Sequence, residues 1–260
     1  MIAVMRRRRF LAAAGAAWAV PACAAGGPAR VAAASDLQFA LPELAALFER
    51  THAEPVTLNF GSSGNFARQL RQGAPVDLYL SADEAFVFQL ADAGLTRDRG
   101  ALYALGRIAL LVPAASAIPL DAQLDGLRHM WAPAQRFAIA NPEHAPYGRA
   151  AREALQAAGL WARLEPGLVL GENVSQATQF VSSGAAQAGI TAASLALAPP
   201  VAAQTRHHLI AESLHRPLRQ RMVLLKGARP AAVAFFDYLA TPPARAILAR
   251  YGFAAPPGPS

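Results

Sequence analysis

A single cysteine, Cys23, stands in this chain of 260 residues, so no intramolecular disulfide can brace the fold. Long apolar runs are missing too. Past the first two dozen residues nothing reaches the ~18 or more consecutive apolar positions that a membrane span requires. Charged residues make up only 16% of the chain, and no basic run with interleaved aromatics offers a nucleic-acid surface. No G-x-x-x-x-G-K-[ST] or G-x-G-x-x-G segment supports nucleotide use, and no H-E-x-x-H could hold a catalytic metal. What the chain has in quantity is hydrophobic residues, 54% of it, enough for one large core or two modest ones.

The first residues read MIAVMRRRRFLAAAGAAWAVPACAAGG. A basic cluster, an apolar stretch from Phe10 to Val20 and then small residues form the three-part layout of an export signal, so residues 1–25 are set aside from the fold. Arg7, Arg8, Phe10 and Leu11 fit the twin-arginine pattern, which a run of four arginines matches loosely in any case. Cys23 could be a lipid-anchored residue, but Pro21 occupies the place where a lipoprotein site wants a small side chain. Cleavage after Ala24 or Ala25 is the better reading. The net charge of +7 owes four units to Arg6–Arg9, which leaves about +3 on the exported body.

From residue 30 short β-like runs alternate with helical ones: RVAAAS before a helix over 37–51, VTLNF before 64–72, VDLYLSAD before 84–94. Such layering predicts an α/β fold with mostly parallel sheets flanked by helices. The first helix is expected to start near Ser35 or Asp36, because Pro42 is tolerable only in a first turn. GRIALLVP, RFAIAN, GLVL and QAGITAAS, with helices over 147–158 and 174–183, form a second set. QRMVLLKG and two closing helices return to the first. The expected organisation is therefore a first lobe of residues 26–106 and 218–253, a second lobe of 107–217, and a disordered tail over 254–260.

Four strand ends run into small or hydroxyl residues at a helix start: Ser35-Asp36, Ser62-Ser63-Gly64, Pro146-Tyr147-Gly148 and Asn173-Val174. A helix start leaves backbone N–H groups unpaired and carries partial positive charge, so each is a potential anion site at the carboxyl end of a sheet. Taken singly, each is better explained by N-capping and turn formation. Four ends arriving from two lobes could converge on one small anion. A serine hydrolase reading is weaker: GSSGN lacks the G-x-S-x-G spacing, and no histidine can be nominated as partner from the sequence. Asp77, Ser81, Asp83 and Glu84 suggest a cap for the next helix rather than metal ligands.

In order and spacing, AAASDLQFALPELAALFE, GSSGNFARQLRQGAPVDLYLSADE, ANPEHAPYGRAAREALQAAGL, ENVSQATQFVSSGAAQAGIT and FFDYLATPPARAILARYGF resemble the periplasmic molybdate-binding proteins of ABC transporters. The resemblance covers residues 30–253. It implies a two-lobed periplasmic binding protein of type II that captures molybdate or tungstate without a cofactor or metal ion and without enzymatic activity. It further implies a monomer in the periplasm, handing its ligand to a membrane permease with an ATPase partner.

Carried over residue by residue, the resemblance places the anion on Ser35, Ser63 and the backbone at Tyr147 and Val174. Many family members also have a ligating tyrosine where this chain has Ala192; the Tyr147 hydroxyl is the expected replacement. Asp36, whose carboxylate would repel a dianion, is expected to give only its backbone N–H and to cap the following helix. Another small oxyanion such as sulfate, or an enzyme using Ser63, are the alternatives.

Overall fold

The computed structural model describes residues 27–132 and 135–256. The expected export signal and Cys23 lie outside the described residues.

Two five-stranded sheets organise the chain. The first contains β1 (Ala29–Ala34), β2 (Val56–Gly61), β3 (Leu78–Ser81), β4 (Ala101–Gly106) and β10 (Leu218–Leu224), in the order β2-β1-β3-β10-β4. The second contains β5 (Ile108–Pro113), β6 (Phe137–Ala140), β7 (Leu168–Gly171), β8 (Ala188–Ala192) and β9 (Thr205–Leu209), in the order β7-β6-β8-β5-β9. β1 pairs in parallel with β2 and β3, and β6 with β7 and β8. β10 and β5 each run antiparallel to both neighbours, so in each sheet one strand opposes the other four. The reversed strand is the one that enters from the other lobe. The chain crosses once at Arg107, between β4 and β5, and again between β9 and β10.

Helices cover both faces, which is why the inner strands are buried without alternation; β3 and β6 are buried at every position. On one face of the first sheet lie α1 (Ala40–His52), α10 (Pro230–Leu239) and α11 (Pro242–Arg250), with Phe48 and Phe235 packed at a centroid distance of 5.0 Å. On its other face lie α2 (Ser63–Arg71) and α3 (Glu84–Asp92). In the second lobe α4 (Asp125–Met130), α5 (Pro146–Ala157) and α6 (Trp161–Leu164) cover one side. The other side carries α7 (Val174–Ser182), α8 (Ala193–Ala196) and α9 (Pro199–Ala202). The second-lobe core runs on across the divide to Ala34, Ala82 and Leu218, so the two halves are packed against each other.

Three details depart from the sequence expectations. The first helix does not begin at Ser35: Ser35–Leu37 form a single tight 3-10 turn, and α1 starts at Ala40, still keeping Pro42 in its first turn. β4 and β9 appear in neither set of expected strands. The tail is ordered at its start, because Ala254 exchanges two backbone hydrogen bonds with Leu105, of 2.9 and 3.0 Å.

Candidate functional site

β1 and β2 end at Ala34 and Gly61, which are paired neighbours, and β6 and β7 end at Ala140 and Gly171, which are also paired. The segments that follow these four ends meet in the cleft between the lobes. Ser35, Asp36, Ser63, Tyr147 and Val174 line one cavity there, with Ser62, Asn173 and Pro146 among its other walls. It holds about 190 Å³ of atom-free space, counting the part that opens to solvent. Among the described residues, no lysine, arginine or histidine lines it.

Each position offers a neutral donor. Ser63 is the first residue of α2 and is 1% exposed; its Oγ accepts the Ala82 N–H at 3.0 Å, which leaves the hydroxyl proton free to donate. Ser35 Oγ likewise acts as an acceptor, but of a long 3.4 Å bond from the Ser175 N–H across the cleft. Val174 opens α7 and Tyr147 follows Pro146 in the first turn of α5. Their N–H groups lie where a helix has no internal acceptor. Asn173 caps α7 by accepting from Gln176 N–H at 3.1 Å, so the cap bond is made by the residue before Val174. Asp83 caps α3 in the expected way, accepting from Ala85 N–H at 2.9 Å.

Two side chains do not do what the sequence suggested. Asp36 caps nothing. Its Oδ2 accepts from the Tyr147 hydroxyl at 2.9 Å and from Gln220 Nε2 at 2.6 Å. The Tyr147 hydroxyl is thereby committed to Asp36 and is not a free replacement for the tyrosine missing at Ala192. Gln220 completes the network, its Oε1 accepting from Tyr103 O–H at 2.6 Å. Asp36 Oδ1 has no hydrogen-bond partner among the described residues. Burial pushes the Asp36 carboxyl up to about 6, against the smaller opposing effects of Gln220, Tyr147 and its own backbone N–H. Burial, and then the Asp36 charge, hold the Tyr147 hydroxyl well above its ordinary value, so it stays protonated as a donor.

Ser62, at the N-cap of α2, makes no side-chain cap bond either. Its hydroxyl lies 2.5 Å from the His144 carbonyl oxygen in the second lobe, with His144 Nδ1 2.9 Å away, and Gly64 N–H donates to the same carbonyl at 2.9 Å. Gly64 permits this approach: a Cβ there would stand 2.7 Å from the His144 oxygen. Beside it His144 Nε2 faces Glu172 at 3.6 Å, and Glu172 also accepts from Asn65. Further ties across the cleft run from Arg149 to Asp83 at 2.8 Å and from Ser194 Oγ to the Asp36 carbonyl at 2.7 Å.

A serine, histidine and carboxylate in line invite comparison with a hydrolase, but their contacts tie one lobe to the other. The Ser62 hydroxyl has a backbone carbonyl within donor reach, and Ser63, which faces the cavity, has no base among its hydrogen-bond partners. Among the described residues no cluster of three or more metal-ligating side chains occurs, and no helix is long and apolar enough to cross a membrane.

Sequence reasoning missed Gln220, Tyr103 and His144. Gln220 left a trace: in LRQRMVL it shares the inward face with Leu218 and Met222, a polar residue on an otherwise apolar side.

The family model described as bacterial extracellular solute-binding protein matches residues 29–254. The molybdate-binding protein of Rhodobacter capsulatus is 35% identical over 233 residues, covering 88% of this chain and 89% of the relative. That of Escherichia coli is 32% identical over 231 residues, covering 87% and 89%. The solved periplasmic molybdate-binding protein of Azotobacter vinelandii superimposes with a TM-score of 0.80 at 28% identity, over 88% of this chain and all of that one.

Proposed function

The chain belongs to the bacterial extracellular solute-binding protein family, and from that premise we propose that it captures molybdate or tungstate in the interlobe cleft. In this reading it works in the periplasm and hands the anion to a membrane permease driven by an ATPase. The observation that carries the proposal is the convergence of four strand ends, two per lobe, on one cavity lined by hydroxyl and N–H donors without a cationic side chain. A fully ionised tetrahedral oxyanion presents acceptors only, and the hydroxyl and N–H groups of this cavity meet it with donors, Asp36 being the one charged side chain on its wall. Each hydrogen bond to a charged group contributes roughly 1.5–3 kcal/mol.

The ligands in this proposal are the hydroxyls of Ser35 and Ser63 and the backbone N–H groups of Asp36, Tyr147 and Val174. Residues 26–106 with 218–253, and residues 107–217, are the two halves that close on the anion about the crossings at Arg107 and ahead of Pro217. The similarity to molybdate-binding relatives across nearly the whole chain supports molybdate over smaller anions.

Asp36 favours a second reading, in which a hydrogen-bearing oxyanion such as hydrogen phosphate donates to its unpartnered Oδ1. Calorimetric titration with molybdate, tungstate, sulfate and phosphate tests the choice. Molybdate and tungstate are expected to bind more tightly than the other two. Tighter binding of sulfate or phosphate overturns the proposal.

A further inference from the structure

An acid in a site for a dianion needs a physical account. Asp36 is 1% exposed, lines the cavity, and sits beside Ser35, which lines the same cavity. Only one of its two oxygens is partnered. The groups around it are Tyr147 from α5, Gln220 from β10 and, beyond Gln220, Tyr103 from β4. The turn that carries it also packs against α7, α8 and β2. These offer Val174, Ser175, Ser194 and Gly61, none of them titratable. Among the described residues no positive charge pairs with the carboxylate, and no cationic side chain lines the cavity to neutralise a dianion beside it. Two like charges in a dry cavity repel far more strongly than in water.

Resting on the oxyanion reading above, we propose that the anion binds together with a proton taken from solvent onto Asp36. The neutral acid goes on accepting from Tyr147 and Gln220 through Oδ2 and donates its Oδ1–H to an oxygen of the anion. When the anion leaves, the proton returns to solvent. The carboxyl thereby becomes one more neutral donor, a substitute for the hydroxyl lost at Ala192. The ligand-free protein is prepared for the exchange, since burial already holds Asp36 at about 6. A bound dianion raises it further. The tyrosines cannot take this part, because both are held well above their ordinary range and are protonated throughout.

The consequence is a linkage between anion affinity and pH. Below about 6 the acid is already formed and affinity is flat; above that value each pH unit costs roughly tenfold in affinity. Calorimetry of molybdate binding at pH about 8, in buffers of contrasting ionisation enthalpy, counts the protons directly. Uptake close to one proton per anion is expected, with affinity roughly a hundredfold below that at pH about 6.

Asp36→Asn should bind molybdate with no proton uptake and no pH dependence over this range, and more tightly than the unaltered protein at pH about 8. If that variant does not fold, Tyr147→Phe supplies the second arm. Removing a donor to Oδ2 moves the onset of the affinity loss to higher pH. Molybdate binding at pH about 8 with undiminished affinity and no proton uptake overturns this inference and leaves the oxyanion reading intact. Phosphate binding without proton uptake in preference to molybdate overturns both. Failure to bind molybdate at any pH overturns the function itself.

Discussion

Tyr147, in the first turn of α5, donates its hydroxyl proton across the cleft to Oδ2 of Asp36 at 2.9 Å. The bond joins the two halves at the cavity wall and spans 111 positions of sequence. It exists because Gly106, at the crossing between sheets, has no side chain. A Cβ at that position would stand 2.5 Å from the Tyr147 hydroxyl and 2.8 Å from Gln220 Nε2.

Gly106→Ala is therefore expected to break the Asp36–Tyr147–Gln220 network rather than perturb it slightly. Overpacking of this kind costs about 1–3 kcal/mol. Urea denaturation should show that loss, and calorimetry should show molybdate affinity reduced at least tenfold. Unchanged stability together with unchanged affinity would mean that the crossing yields without disturbing the network.

The ligand-free protein should carry a signature of Asp36 in its stability. The carboxyl stands at about 6 in the folded chain against an ordinary 3.8. Between these values the folded state holds the proton more tightly than the unfolded one, so stability from this group is full below about 4. It falls as pH rises and is lost above about 6. A shift of this size corresponds to about 3 kcal/mol. Asp77 and Glu84 slope the other way. For each, burial alone would raise the pKa, but bonds from Arg30, or from Arg219 and Arg221, hold it below the ordinary value. The clean measurement is thus the difference between the unaltered protein and Asp36→Asn from pH about 4 to 8. A difference that stays flat would refute the assignment.

The framework of the site was legible in the sequence, and its wiring was not. Ser35, Ser63, Tyr147 and Val174 could be found because each sits where an apolar run gives way to a helix start, a local signal. β9 was missed because TRHHL is a largely exposed edge strand without an apolar face. β4 was missed because only Arg107 separates ALYALG from the next strand. Asp36 looked like a cap because Asp at a helix start usually is one. Its partners lie 111 and 184 positions away, and no local pattern encodes them. The pairing of Ser62 with His144 is hidden in the same way, across 82 positions.

Ser63→Ala removes a hydroxyl that faces the cavity and should weaken molybdate binding by roughly 10- to 100-fold with little change in unliganded stability. The Ala82 N–H left unpaired by the truncation adds to the cost only if no water replaces the oxygen. An affinity change below about threefold in calorimetry would remove Ser63 from the ligand set.

Ser62→Ala should behave differently, although the residue is adjacent. The His144 carbonyl keeps its bond from Gly64 N–H, so what is lost is one of the two donors to that carbonyl, worth about 1 kcal/mol. Because that bond forms after encounter, the loss should appear as roughly fivefold faster anion release in stopped-flow measurements, with association unchanged. The same geometry predicts that a fluorophosphonate probe leaves the unaltered protein unlabelled, since the Ser62 proton is directed at a carbonyl and not at a base. Labelling that disappears in Ser62→Ala and in His144→Ala would show Ser62 acting as a nucleophile with His144 as its base, and a lobe-to-lobe tie would then be the wrong account of the pair.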